Sequence, residues 1–323
     1  MLQGPFRIRQ LNVEIFGGCN YRCFMCPQTN GREASFLRRL PYNVYQKIIL
    51  DALEYGPEAI SLHGSGEPTL HPDLAKMVKL ASDRGLYTSF FTHGAYLTGE
   101  LFNRLADAGL DLATVSIVGH DPKRYLHWMG KDNFYLVLNN LMACRKVMRR
   151  RQDKTEFHTR HLVTDWANKD QEVEGYIKNW IEPLQCKAEI WMMHNWGGVF
   201  VDSLYDRVDL AQIKQRCSCG RPFAPALEVR AGGLDRHNAA VVPCPYVLGQ
   251  DSKAVFGHLD TQTIAEILNG PQLEDLREAH RSGDFDRISY CRKCDQLYNI
   301  PSALAWTNIE GRFYGQSKTS SVV

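Results

Sequence analysis

The sequence predicts an α/β fold, a partial (β/α)6 barrel followed by a small cysteine-rich domain. Three observations carry that expectation. From residue 10 to 195, short apolar strands alternate with amphipathic helical stretches, the pattern of a parallel sheet with helical crossovers. A full eight-unit barrel takes about 250 residues, so this stretch holds about six units and leaves one side open. Beyond residue 216 the texture changes, and cysteine, proline and glycine dominate.

The elements follow in order. The strands read as "LNVEIFG" (11–17), "AISLHGSG" (59–66), "YTSFFTHG" (87–94), "LATVSIVG" (112–119), "TEFHTRHLV" (155–163) and "AEIWMMHN" (188–195). Between them run "YNVYQKIILDALEYG", "DLAKMVKLASDRG", "GELFNRLADAG" and "DQEVEGYIKNWIEPL", several closing on a glycine that suits a helix C-terminus. Residues 1–9 form an arm and 196–216 a connector. The second domain, 217–308, opens on a hairpin pattern, "LEVRAGGLDRHNAAVVPC", continues through a helix, "DTQTIAEILNG", and includes "CRKC". Residues 309–323 read as a flexible tail.

Strand parity says what the barrel encloses. In the first strand Leu11, Val13 and Ile15 face the helices, which turns Asn12 and Glu14 inward. The same alternation turns in Ser61, His63 and Ser65, then Thr114 and Ser116, then Glu156, His158 and Arg160. Closed barrels fill their centre with Val, Ile and Leu, so a polar lumen points to a bound ligand.

Composition excludes several classes. Over 323 residues, 38 Lys plus Arg nearly cancel 36 Asp plus Glu, so no charge-driven nucleic-acid or membrane partner is implied. No apolar run approaches the roughly 20 residues of a membrane span, and the N-terminus has no basic-then-apolar signal, which reads as cytoplasmic. The ten cysteines cluster at 19, 23 and 26, at 217 and 219, and at 291 and 294, with Cys144, Cys186 and Cys244 alone. In a chain this long, clustered thiols argue for metal rather than a disulfide framework.

"IFGGCNYRCFMCPQTNG" sets Cys19, Cys23 and Cys26 directly after the first strand, at the barrel mouth where such folds keep their active sites. Thiolates suit zinc, copper(I) or iron-sulfur clusters. A structural zinc would want a fourth ligand, and Asn20, Gln28 and Asn30 are poor ones. A 4Fe-4S cluster on three thiolates keeps one iron open for another molecule.

This C-x3-C-x2-C triad, partnered by "GSGEP" after the next strand, resembles the radical S-adenosylmethionine (SAM) superfamily over about residues 10–195. The resemblance implies a cluster on Cys19, Cys23 and Cys26 whose open iron chelates the methionine moiety of SAM. It implies that Gly64, Gly66 and Glu67 meet the SAM ammonium, that Ser116 contacts the ribose or carboxylate, and that Met25 lies near adenine in place of the usual aromatic. His93 of "FTHG" replaces the asparagine of the commoner T-N-G. Reductive cleavage of SAM would release a 5'-deoxyadenosyl radical that abstracts hydrogen from a substrate, with a flavodoxin or ferredoxin as reductant.

The second set resembles the shortened SPASM domain called Twitch. "CGRPF" selects Cys219, "VVPC" supplies Cys244, and "YCRKC" supplies Cys291 and Cys294, ligands of an auxiliary 4Fe-4S cluster; Cys217 is the alternative to Cys219, and a zinc ribbon the alternative to the cluster. With an electron acceptor beside the substrate, the expected reaction is a net two-electron dehydrogenation of a small sugar-, aminocyclitol- or natural-product-like molecule. Epimerisation and peptide modification are the alternatives, the second disfavoured because only about ten residues precede the first strand. A zinc-ribbon nucleic-acid binder, built on the basic run "CRKVMRRR", is the different-class alternative. Candidate proton-handling residues are Glu14, His63, His158 and Arg160.

Overall fold

The computed structural model describes residues 7–29, 33–200, 215–249, 251–300 and 303–311. The expected flexible tail from residue 312 onward, most of the connector and Asn30 lie outside them.

Six parallel strands form the barrel wall in sequence order: β1 (Gln10–Val13), β2 (Ala59–Leu62), β3 (Tyr87–Thr92), β4 (Leu112–Ser116), β5 (Glu156–Val163) and β6 (Lys187–Met192). Helices α1 (Tyr42–Leu53), α2 (Leu74–Ser82) and α3 (Gly99–Asp107) cross between the first four strands. In α1 the buried residues Tyr45, Ile48, Ile49 and Ala52 recur at helical spacing, so one stripe faces the sheet. After these helices the chain turns at Gly56, Gly85 and Gly109, each at positive φ, as the sequence suggested. Two helices, α4 (Pro122–Met129) and α5 (Phe134–Arg151), separate β4 from β5.

Between β5 and β6 lies one predicted helix with a break inside. It runs as α6 (Lys169–Tyr176), widens into a π turn at Ile177–Ile181, and ends as α7 (Glu182–Leu184). Pro183 has no N–H to donate and its ring crowds the carbonyl four residues back, so regular α spacing cannot continue through this point. Glu172 of α6 is 3 % exposed and accepts hydrogen bonds from His161 Nε2 (2.8 Å), Thr164 Oγ1 (2.8 Å) and the backbone N–H groups of Thr164 and Asp165, pinning the helix to the end of β5.

The C-terminal cysteine-rich region is joined to the barrel through the sheet itself. After the 3-10 turn Arg221–Phe223, β7 (Ala226–Arg230) joins the free edge of β1 in parallel register, Asn12 opposite Glu228, so the parallel run has seven strands. The predicted hairpin is present: β8 (Ala240–Val242) pairs antiparallel with β7, and β9 (Gly257–His258) follows. Two helices come next, α8 (Ile264–Leu268), opened by a Thr263/Glu266 capping box, and α9 (Pro271–Ser282), which the sequence reading did not mark. Finally β10 (Leu304–Thr307) returns to pair antiparallel with β6, and Asn308 closes that corner through the Ala188 N–H (2.8 Å) and the Cys186 carbonyl (3.0 Å). The sheet stays open, but β7 and β10 cover the two edges that a six-stranded wall would leave unpaired.

Candidate functional site

The cysteine loop starts where β1 ends and is clamped on three sides. The Gly17 N–H donates to Arg38 O (2.8 Å), the Glu67 N–H to Gly18 O (2.8 Å), and the Phe24 N–H to Trp128 O (2.9 Å), which ties the loop to the segment after it, to "GSGEP" and to α4. Tyr21 Oη shares hydrogen bonds with Tyr125 Oη (3.2 Å) and Asn133 Nδ2 (2.9 Å). His93 stacks on the Tyr21 ring at 3.8 Å and its Nε2 meets Asn20 Oδ1 at 3.0 Å, so this histidine orients the loop.

Glycine is required where the two loops meet. A Cβ on Gly66 would lie 1.8 Å from Phe16 O, and one on Gly64 would overlap the Glu14 carboxylate at 2.0 Å. The Glu67 carboxylate, 2 % exposed, accepts from the Thr69 N–H (3.0 Å), Thr69 Oγ1 (2.6 Å), Thr92 Oγ1 (2.7 Å) and the His93 N–H (2.9 Å). With its own N–H on the Gly18 carbonyl, Glu67 ties together the loops after β1, β2 and β3. Met25 is buried against the core, and Ser116 ends β4 opposite Arg160 of β5.

Burial pushes the Cys19 thiol up to about 12 and Cys23 well above its ordinary range, and Cys19, Cys23 and Cys26 influence one another electrostatically. Buried thiols of this kind hold their protons until a metal replaces them. Among the described residues no three His, Cys, Asp or Glu side chains close on a single-ion site, so the assignment to a cluster rests on spacing and mutual influence. The residues fit the group: three neighbouring thiols, a sulfur that accepts the Tyr21 N–H at 3.4 Å, and a glycine cradle beside them.

Below this mouth the lumen is polar, as parity implied. His63 Nδ1 pairs with Ser61 Oγ (2.8 Å), and burial, then the charges of Arg230 and Arg160, lower its pKa to about 4, so its imidazole is neutral at physiological pH. Arg160 Nη2 bonds Glu189 Oε2 at 2.5 Å, which also accepts from Trp191 Nε1 (3.1 Å), while the guanidinium lies over the Phe91 and Trp191 rings. His158 turns toward Glu156 (2.9 Å), itself paired with Lys187 at the more exposed end of these strands; burial lowers the His158 pKa and Glu156 opposes the shift. Glu14 plays another part. Its carboxylate accepts from the Ser65 N–H (2.8 Å) and the Ala231 N–H (3.2 Å), joining β1 to the loops after β2 and β7.

The second set comprises Cys219, Cys244, Cys291 and Cys294. Cys219 enters the electrostatic surroundings of Cys244, Cys291 and Cys294, Cys244 those of Cys291 and Cys294, and Cys294 those of Cys291, and burial raises Cys244, Cys291 and, to about 12, Cys294. Cys217 is exposed and enters none of those surroundings. Cys144, bonded to Leu97 O, and Cys186, beside Thr159 on the helix-facing side of β5, are buried away from both sets.

Two lumen residues escaped the sequence reading. Glu228 and Arg230 face inward because β7 adopts the register of β1. Glu228 Oε1 accepts from Asn12 Nδ2 (2.7 Å), Oε2 has no partner among the described residues, and burial raises its pKa against the pull of Arg230. Arg230, fully buried, donates from Nε to Val247 O (2.9 Å) and from Nη2 to Cys244 O (3.2 Å), linking the lumen to the second cysteine set. The one available signal was "LEVR", in which two charges alternate with Leu and Val.

Comparison with known proteins agrees with this arrangement. The sequence profile of the Radical SAM superfamily matches residues 13–161, and that of SPASM, an iron-sulfur cluster-binding domain, matches residues 236–295. The tungsten-containing aldehyde ferredoxin oxidoreductase cofactor-modifying protein of Pyrococcus furiosus is 34% identical over 112 residues, 34% of this chain and 31% of that protein. A probable GTP 3',8-cyclase of Sulfolobus acidocaldarius is 27% identical over 140 residues, 43% of this chain and 44% of that protein. The chain thus spans less than half the length of these curated relatives. Among solved structures, BtrN in complex with AdoMet and 2-DOIA superposes with a TM-score of 0.58 at 19% identity, covering 93% of this chain and 98% of that one. Streptococcus suis SuiB bound to precursor peptide SuiA gives 0.61 at 14% identity, covering 90% and 70%. At these identities the likeness is one of fold.

Proposed function

The chain belongs to the radical SAM superfamily and carries a SPASM iron-sulfur domain, and from that premise we propose that it catalyses a net two-electron dehydrogenation of a small polar molecule held in the lumen. When bound, the cofactors supply reductive cleavage of SAM at the first cysteine set and an electron acceptor at the second.

Each residue then has a task. Cys19, Cys23 and Cys26 hold the first cluster, and Cys219, Cys244, Cys291 and Cys294 the second. Gly64 and Gly66 bring loop backbone close to the cysteine loop, Glu67 fixes that loop's shape, and Met25 and Ser116 line the SAM side. Arg160, Glu189 and Glu228 offer a charged donor and charged acceptors to hydroxyl or amine groups. A proton must leave as the substrate radical is oxidised, and neutral imidazoles are suited to take it. With Nε2–H donated to the Glu156 carboxylate, the lone pair of His158 sits on Nδ1.

The observation that carries this reading is a polar lumen bounded by two cysteine sets, with no spare thiol among the described residues facing it. Epimerisation by a cysteine hydrogen donor would need one, and Cys144, Cys186 and Cys217 all lie elsewhere. The test is incubation of reduced, reconstituted enzyme with aminocyclitols, sugars and peptides, following deoxyadenosine and substrate mass. A loss of two mass units supports dehydrogenation. Unchanged mass with solvent-deuterium uptake means epimerisation, and a product from peptides alone means peptide modification.

A further inference from the structure

Around the second cysteine set, three polar side chains meet, and each stands two residues beyond a thiol. Arg221 follows Cys219, Tyr246 follows Cys244, and Gln296 follows Cys294. Arg221 Nη2 lies 3.4 Å from Tyr246 Oη, Nη1 lies 3.5 Å from Gln296 Oε1, and Tyr246 Oη lies 3.4 Å from the same Gln296 oxygen. The guanidinium carbon sits 4.6 Å from the Tyr246 ring centroid, and His194 packs on that ring at 4.4 Å. Among the described residues no carboxylate pairs with Arg221, so its charge is left for its other neighbours.

Those neighbours include the thiols and the Glu228 carboxylate, which also feels its charge. The Arg221 guanidinium meets Tyr246 and Gln296, which follow Cys244 and Cys294 by two residues as Arg221 itself follows Cys219, so the charge is held among three of the four cysteine segments. The spacing explains the convergence. A backbone N–H two residues after a cysteine turns back toward its sulfur, as at Tyr246 and Gln296, and this aims the side chains of those residues into the same space. Arg221 enters that space from the first turn of the 3-10 helix after Cys219.

A cluster on four thiolates is anionic, and each electron it accepts makes it more so, so a fixed cation held beside it favours the reduced form. We propose that Arg221 is a positioning cation for the auxiliary cluster, raising its reduction potential so that it can take the single electron a substrate radical releases as its proton passes to a lumen base. The inference rests on the dehydrogenation reading for that electron's origin, but its test needs neither substrate nor SAM.

The test is a spectroscopically monitored redox titration, with dithionite and ferricyanide, of the reconstituted full chain. Cys19, Cys23 and Cys26 are all replaced by Ala, so that only the auxiliary cluster remains. Arg221→Gln is expected to lower the reduced-to-oxidised ratio at a fixed potential at least tenfold, about 59 mV for one electron. Arg221→Lys, which keeps the charge, is expected to restore most of it. Gln296→Glu, which sets a carboxylate against the guanidinium and leaves Arg221 in place, is expected to lower the ratio in the same direction. An Arg221→Gln protein with a full iron complement and an unshifted midpoint overturns the inference, as does a Lys variant shifted as far as the Gln variant. Should Arg221→Gln fail to take up iron, an unshifted Gln296→Glu midpoint overturns it. Product of unchanged mass from wild-type enzyme would remove the dehydrogenation reading while leaving the measured shift intact, so the two failures are distinct.

Discussion

Glu67 offers the sharpest test of how the SAM-side loops are held. Its two carboxylate oxygens accept four hydrogen bonds, three at Oε1 and one at Oε2 from the His93 N–H. Glu67→Gln can keep its carbonyl oxygen at the Oε1 position, but it then turns an NH2 group toward the His93 N–H. The loss is one charge-assisted bond in a buried site, about 2 kcal/mol. Glu67→Ala leaves two backbone N–H groups unsatisfied as well, roughly 2–6 kcal/mol, so the alanine variant is expected to be the less stable of the two. With an m-value near 3 kcal/mol/M, the glutamine variant's urea midpoint falls by about 0.7 M. The assay is urea unfolding of the metal-free chain, paired with SAM titration of the reconstituted protein followed through the cluster spectrum. Both readouts are expected to worsen together, because a misplaced "GSGEP" loop loses its hold on the Gly18 carbonyl as well. A glutamine variant that unfolds at the wild-type midpoint, with only SAM affinity reduced, would refute the bracing role and return Glu67 to direct contact with the SAM ammonium.

Three further outcomes are expected. Cys217→Ala retains the wild-type iron content of about eight per chain for two clusters, whereas Cys219→Ala falls toward four, read by iron and sulfide analysis. Gly66→Ala forces Phe16 backbone aside, and on the proposed role of this loop at the SAM site, SAM-dependent change in the cluster spectrum is expected to disappear while far-ultraviolet circular dichroism is retained. Glu172 supplies a pH dependence: burial raises its pKa, but the His161 and Thr164 hydrogen bonds win and hold it below its ordinary value of 4.5. A carboxylate depressed in the folded state contributes stability that is present above that ordinary value and is lost as pH falls through the folded one. Urea midpoints measured downward from neutral pH should therefore fall less steeply in Glu172→Gln than in wild type once pH drops below about 4.5.

The part of this architecture that depends on local pattern was legible in the sequence. Two-residue alternation in "TEFHTRHLV" placed His158 and Arg160 in the lumen and Phe157, Thr159 and His161 behind it, and the buried positions of β5 follow that alternation. Helix ends were readable because Gly56, Gly85 and Gly109 adopt a conformation that costs other residues more. Pairing across long sequence distances was not readable. Asn12 and Glu228 are 216 residues apart, and nothing near either one encodes the other. Glu14 shows the same limit: parity gave its direction, but the Ala231 N–H that occupies it comes from a strand whose place in the sheet no local rule supplies.

That strand also decides how the two cysteine sets are related. Because side chains alternate along β7, a one-residue slip against β1 would turn Glu228 and Arg230 out of the lumen and carry Leu227 and Val229 into it. The Glu228 to Asn12 bond resists such a slip from one side, and the apolar helix-facing positions, Leu227 and Val229, resist it from the other. Arg230 then converts register into position, since its two hydrogen bonds hold the carbonyls of Cys244 and Val247. The Cys244 loop is therefore hung from the same sheet that ends in the first cysteine loop. Between the lumen and the second set the chain has interposed strand hydrogen bonds and a buried arginine, where a linker between independent domains would have allowed the separation to vary. For the proposed dehydrogenation, which would take hydrogen at one end of the lumen and an electron at the other, a separation set by sheet register is one that substrate binding need not reorganise.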